Sequence, residues 1–247
     1  MEHYASWLLT AVNITIYQVP PDPVLLMINY LLSFLYPLRL RNYTSRFSGN
    51  IEINLVNGVK MIDTKNSNYS YGSLQKVLKA GLKAIKFGNN FRNILVLGMG
   101  GGSVVPTIRH DFHSEAHITL VDIDEEIIAI AENEFDLHSS GNLKLVHDDA
   151  FAFMENQHPP FDLIIMDVFI IDRVPDIFQS DAFLNLVLKN LAPKGFLLYN
   201  TMSATMSDDV LERMRNFLVP AFNEVSILEA VNGTNNLLLG KERKLNQ

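Results

Sequence analysis

Residues 93–124 read NILVLGMGGGSVVPTIRHDFHSEAHITLVDID. The apolar run Ile94 to Leu97 predicts a buried parallel strand. It breaks into Gly98-Met99-Gly100-Gly101-Gly102-Ser103, a helix follows, and a second apolar run, Ile118 to Val121, ends on Asp122. Strand, glycine turn, helix, strand and acid together predict a nucleotide-binding βαβ unit. The glycines allow a sharp turn and let a ligand come closer to the backbone than a Cβ would permit. Asp122 follows the turn by about twenty residues, the usual distance for a carboxylate that accepts hydrogen bonds from ribose hydroxyls. Gly98, Gly100, Gly101, Gly102, Asp122 and the adjacent Ile123 are therefore candidate nucleoside contacts.

Downstream the alternation continues. Asp124-Glu125-Glu126 supplies a cap and first-turn acids for a helix running to about Phe135. Leu143 to Val146 predicts a third strand, and Asp148-Asp149-Ala150 opens another helix. Phe161 to Met166 predicts a fourth strand ending on Asp167. A helix over 180–192, a turn at Pro193-Lys194-Gly195 and a fifth strand, Phe196 to Tyr199, come next. A helix over 207–218 and two strands near 224–229 and 235–239 close the core, and Gly233 between them predicts an antiparallel hairpin. The expectation is an α/β fold with a doubly wound, mostly parallel seven-stranded sheet that ends in an antiparallel hairpin.

Upstream, the chain reads as two further segments: 1–47, an extension with an apolar helix, and 48–90, a hairpin and linking helix, ahead of the core at 91–241. Val24 to Leu35 is strongly apolar but shorter than the roughly 18 residues of a membrane-spanning helix. It reads as a helix that docks on the core or on a second subunit, with an interfacial membrane anchor edged by Arg39 and Arg41 as the alternative. Residues 51–63, IEINLVNGVKMID, alternate around Asn57-Gly58, a strong hairpin turn. The stretch TKNSNYSYGS reads as a polar loop, and residues 73–86 as an amphipathic helix.

Composition narrows the function. The net charge of −7 gives no electrostatic case for nucleic-acid binding. The absence of cysteine excludes disulfides and thiolate metal sites and fits a cytoplasmic protein. His110, His113 and His117 fall away from the glycine turn and read as surface residues, so no metal is expected.

Ligands of open α/β sheets bind beyond the carboxyl ends of the strands. Asp122, Asp149 and Asp167 lie there in this reading. Asp122 and Asp149 suit an adenosine's ribose hydroxyls and exocyclic amine, with Ala150 beside Asp149, although an acid at position 149 would also serve simply as a helix cap. Asp167 is placed to deprotonate a nucleophile or hold a cation. The following loop, Val168-Phe169-Ile170-Ile171, is apolar.

With these residues placed, the chain resembles the polyamine aminopropyltransferase (spermidine synthase) family, built on the class I S-adenosylmethionine methyltransferase fold. The resemblance covers about residues 50–201 and rests on LVLGMGGGSV, VDIDEEIIAIAENEF, HDDAFAFM and FDLIIMDVF followed by LKNLAPKGFLLYN. It implies a methyltransferase-type sheet and a donor, S-adenosylmethionine or its decarboxylated form. It also implies ribose contact by Asp122, adenine-amine contact by Asp149, and deprotonation of the attacking amine by Asp167, with Tyr71 matching the family's tyrosine. The chain departs from the family pattern at Gly101, where an acid holds the aminopropyl amine. It departs again at Asp167-Val168-Phe169-Ile170, which replaces Asp-Ser-Ser-Asp, and at Met61 and Gly72-Ser73. These departures strip the acceptor side of polar partners for a polyamine. The expected function is methyl transfer to a small-molecule acceptor, with aminopropyl transfer to an unusual amine or a non-catalytic ligand-binding scaffold as alternatives. A homodimer without a membrane span is expected.

Overall fold

The computed structural model describes residues 23–64, 67–70, 72–170 and 173–245. Helix α1 (Pro23–Leu32) leads into strands β1 (Leu38–Ser45), β2 (Gly49–Val56), β3 (Val59–Thr64) and β4 (Ser67–Ser70), followed by helix α2 (Ser73–Ala84). Then come β5 (Asn93–Leu97), a helical segment of α3 (Val104–Pro106) and a π-type turn over Thr107–Asp111, β6 (His117–Asp122) and α4 (Glu125–Phe135). The chain continues with β7 (Leu143–His147), α5 (Ala150–Glu155), β8 (Phe161–Met166), α6 (Asp176–Gln179) and α7 (Asp181–Asn190). It closes with β9 (Leu191–Met202), α8 (Asp208–Leu218), β10 (Phe222–Val231) and β11 (Asn235–Arg243).

The core is a seven-stranded sheet in the order β10-β11-β9-β8-β5-β6-β7. Strands β5, β6, β7, β8 and β9 pair in parallel, while β11 runs antiparallel between β9 and β10. This is the doubly wound, methyltransferase-type sheet with its antiparallel ending. Its faces follow from the two-residue period of a strand. Ile94 and Val96 turn to one layer, with Leu78 and Leu82 of α2 and Ile127 and Ile130 of α4. Leu95 and Leu97 turn to the other, with Phe153 of α5, Phe183 of α7 and Leu211 of α8. Burying each such side chain stabilises the fold by about 1.5–3 kcal/mol. A sheet covered on both faces explains why its strands are apolar throughout rather than alternating.

The N-terminal hairpin is larger than the sequence suggested. Strands β2 and β3 turn at Asn57-Gly58 as expected, but β1 and β4 flank them to make a four-stranded antiparallel sheet. β1 alternates Leu38 and Leu40 with Arg39 and Arg41, and β4 lies within the stretch read as a polar loop. The boundary drawn after residue 47 falls inside the β1–β2 hairpin, where Tyr43 pairs with Ile51. Arg39 and Arg41 do not edge an apolar helix. They sit on β1, in ion pairs with Glu52 (3.1 Å) and Glu134 (2.9 Å).

Glu134, on α4, joins the two sheets. Its carboxylate also accepts a hydrogen bond from the Tyr43 hydroxyl (2.7 Å) and pairs with the Lys60 ammonium (3.0 Å). Burial alone would push its carboxyl upward, but Tyr43, Lys60 and Arg41 together hold it below its ordinary value. Helix α1 buries none of its residues, and Leu25, Met27, Leu31 and Leu35 are exposed. No helix among the described residues is long and apolar enough to cross a membrane.

Candidate active site

Strand order reverses between β5 and β8, where ligand crevices open in sheets of this kind. A cleft of about 320 Å³ lies there. Gly98, Gly100, Asp122, Ile123, Asp149, Ala150 and Asp167 all line it. Gly101 and Gly102 are buried and do not line it, and Gly102 faces Leu137. Tyr71 lies outside the described residues.

The turn after β5 is fixed by close approach. Gly98 has φ +77°, and a Cβ there would run into the carbonyl oxygen of Asp167. The backbone of Asp167 in turn donates to Leu97 O (2.8 Å), so the tips of β5 and β8 touch. Asp122 holds the turn from the other side. Its Oδ2 accepts from the Met99 amide (2.9 Å) and its Oδ1 from the Asp124 amide (3.0 Å). The Gly100 amide also bonds this carboxylate, which leaves about one of its four lone-pair sites for a ligand hydroxyl. Burial pushes its carboxyl up to about 6, against the pull of those backbone amides.

Asp149 is a helix cap that also lines the cleft. Its Oδ1 caps α5 by accepting from the Phe151 (2.9 Å) and Ala152 (3.0 Å) amides. Its Oδ2 has no partner among the described residues, and the side chain reaches the cleft.

Asp167 sits on the cleft floor, 8% exposed. Burial pushes its carboxyl up to about 7; the Asn200 hydrogen bond opposes this, and the nearby Asp122 charge adds to it. The Asn200 amide donates to Asp167 Oδ1 (2.8 Å), Asn235 donates to Asn200 Oδ1 (3.0 Å), and Thr234 donates to Asn235 Oδ1 (2.8 Å). Sequence reading missed this chain. Asn200 follows the fifth apolar run as Asp167 follows the fourth, so a positional signal existed. Asn235 arrives only through the antiparallel return of β11.

The β1–β2 turn covers another side of the cleft, which Phe47 and Ser48 line. It is fastened there by Ser45, whose hydroxyl donates to Asp124 Oδ2 and accepts from the Phe47 and Ser48 amides (2.9 Å each). Asp124 Oδ1 meanwhile caps α4 through the Glu126 amide (3.2 Å). Leu74, in the first turn of α2, lines the cleft, and the N-cap of that helix, Gly72, supplies no capping side chain. No group of three or more His, Cys, Asp or Glu side chains that could hold a metal occurs among the described residues.

A glycine turn, an acid at the end of β6 and a polar floor meet at the switch point of a methyltransferase-type sheet. The methyltransferase-domain family matches residues 91–234, and the chain belongs to it. A polyamine aminopropyltransferase of Vibrio vulnificus (strain CMCP6) is 28% identical over 150 residues, covering 56% of this chain and 50% of that protein. An eEF1A lysine and N-terminal methyltransferase homolog of Drosophila melanogaster is 30% identical over 118 residues, covering 44% of this chain and 17% of that protein. The crystal structure of a probable spermidine synthase from Corynebacterium glutamicum ATCC 13032 shares the fold, with TM-score 0.63 and 19% identity over 84% of this chain and 81% of that one. The chain spans about half the length of the aminopropyltransferases it matches.

Proposed function

We propose that the cleft binds an adenosyl sulfonium donor, S-adenosylmethionine or its decarboxylated form, and that the protein transfers the donor's methyl group to a small acceptor. The observation that carries this reading is the convergence of Gly98, Asp122, Asp149 and Asp167 from four separate loops on one cleft. The residues suit the donor: Asp122 keeps acceptor capacity for a ribose hydroxyl, and Asp149 keeps a free oxygen for an exocyclic amine. The donor supplies a carbon already activated by the sulfonium. The protein's task is then alignment of a nucleophile and removal of its proton. Asp167 is the group for that step, since burial brings its carboxyl to about 7 and one of its oxygens has no partner among the described residues. We further propose a cytoplasmic homodimer; light scattering of the purified chain tests the dimer.

Methyl transfer is favoured by the family resemblance, in which Gly101, buried and off the cleft lining here, stands in place of the acid that holds the aminopropyl amine. The N-terminus of α2, whose second residue, Leu74, lines the cleft and whose N-cap Gly72 offers no side chain, also suits a donor carboxylate. One observation supports the aminopropyl alternative: no Lys or Arg side chain among the described residues lines the cleft. A donor carboxylate would therefore have only backbone amides.

Calorimetric titration with both donors tests the reading. We expect S-adenosylmethionine to bind more tightly, and Asp122→Ala and Asp149→Ala each to weaken it at least tenfold. Tighter binding of the decarboxylated donor would establish the aminopropyl alternative. Binding of neither would leave the fold as a scaffold without donor chemistry.

A further inference from the structure

The acceptor half of the cleft differs sharply from the donor half. Around Asp167 the walls are Val168, Phe169, Ile170, Pro175, Phe178 and Met202, all apolar. The polar groups there are largely committed to one another. Asn235 accepts from Thr234 and donates to Asn200, and Asn200 donates to Asp167. What remains is Asp167 Oδ2, a buried carboxylate oxygen with no partner among the described residues. Every ionisable side chain lining the described cleft is an acid: Asp122, Asp124, Asp149 or Asp167. Asp122 is held by backbone amides and Asp124 by Ser45 and Ser48. Asp149 lies at the donor end beside Ala150.

From this we infer that the acceptor is a monoamine on an apolar or aromatic body, bound through a single ammonium–Asp167 contact, and neither a polyamine nor an anion. The inference rests on the donor reading above. One unpaired carboxylate oxygen compensates one buried cation. A second ammonium held inside the cleft would have to lie against Phe169 or Phe178, where burying an unpaired charge is strongly unfavourable. An anionic acceptor would meet four acids and no cation. The proton and electron balance closes on residues already placed. The bound ammonium gives a proton to the Asp167 carboxylate and becomes the neutral amine. Its nitrogen lone pair then forms the N–C bond as the C–S bond breaks, and that electron pair returns to sulfur as a neutral thioether. Asp167 releases its proton to solvent, and the product leaves as the alkylated ammonium.

The test uses 2-phenylethylamine, putrescine and 3-phenylpropionate, each titrated into the full chain saturated with S-adenosylhomocysteine or methylthioadenosine, the thioether products of the two donors. Transfer products are read in parallel by mass spectrometry with each donor. We expect 2-phenylethylamine to bind at least tenfold more tightly than the other two and to be the one alkylated. Asp167→Asn should abolish that preference while thioether binding persists. Ile170→Asp adds a second acid at a half-exposed position and should shift preference toward putrescine about tenfold. Equal or better binding of putrescine or 3-phenylpropionate by the unaltered protein overturns the inference, as does a thioether-loaded protein that binds no amine. A protein that binds neither thioether nor donor overturns the donor reading first, and this inference with it.

Discussion

Asn200 holds Asp167 across two neighbouring parallel strands: the amide at the carboxyl end of β9 donates to the carboxyl just beyond β8 over 2.8 Å. Both side chains are buried, so the bond is protected from competing water and favours the ionised acid. It opposes the burial that otherwise pushes Asp167 toward its neutral form.

Removing the donor should therefore appear in a pH profile. Asn200→Leu keeps the volume and deletes the hydrogen bond, so Asp167 should ionise about 1–2 pH units higher, given the ~1.5–3 kcal/mol of a bond to a charged group. The acid limb of kcat/KM would move to higher pH with the alkaline limb unchanged. A limb that stays in place would show that Asp167 is not the proton acceptor.

Asp167 should also cost stability, in a defined pH window. Its folded-state value of about 7 lies above the ordinary 3.8, so the native state retains a proton that the unfolded chain releases. Stability falls as pH rises between those values and is level above them. Asp167→Asn lacks this loss, and should be more stable than the parent at pH 8 by about 2–4 kcal/mol, with little gain at pH 4. Urea unfolding at the two pH values measures the difference.

Gly98→Ala meets two obstacles, a positive φ and the Asp167 carbonyl. A loss of about 2–4 kcal/mol is expected, from strain at the turn plus displacement of the β8 tip. Gly49→Ala is the control. Its φ is +70° but nothing lies within 4 Å of the added methyl, so it should cost only about 1 kcal/mol.

Ser45→Ala removes one of the two hydroxyl contacts between the β1–β2 turn and Asp124, leaving that of Ser48 (3.1 Å). A loss of about 1–3 kcal/mol is expected from the buried groups left unpaired. Faster amide exchange at Phe47 and Ser48 should accompany it. Because both residues line the cleft, donor affinity should fall in parallel. Faster exchange with unchanged affinity would show that the turn covers the cleft without touching the donor.

The sequence by itself determined the core. Apolar runs broken by glycine or ended by an acid can be satisfied only by strands buried on both faces, so Ile94–Leu97, Ile118–Val121 and Phe161–Met166 were legible as parallel strands. The positions of Asp122, Asp149 and Asp167 at strand tips followed, because parallel strands present all their carboxyl ends on one side of the sheet. Local chemistry also fixed the Asn57-Gly58 hairpin and the Asp124 cap of α4.

Other features depended on contacts between residues far apart in sequence, which periodicity does not encode. Ser45 meets Asp124 across 79 positions, and Tyr43 meets Glu134 across 91. Strand β4 pairs through its backbone, so its polar side chains gave no apolar pattern to detect. Asn235 reaches Asn200 only because β11 inserts antiparallel beside β9. Sequence gave Asp167 its place at a strand end. Only the tertiary structure decided that one of its oxygens is held by an asparagine and the other faces an apolar cleft, because burial and hydrogen-bond partnership arise from the packing of separate strands.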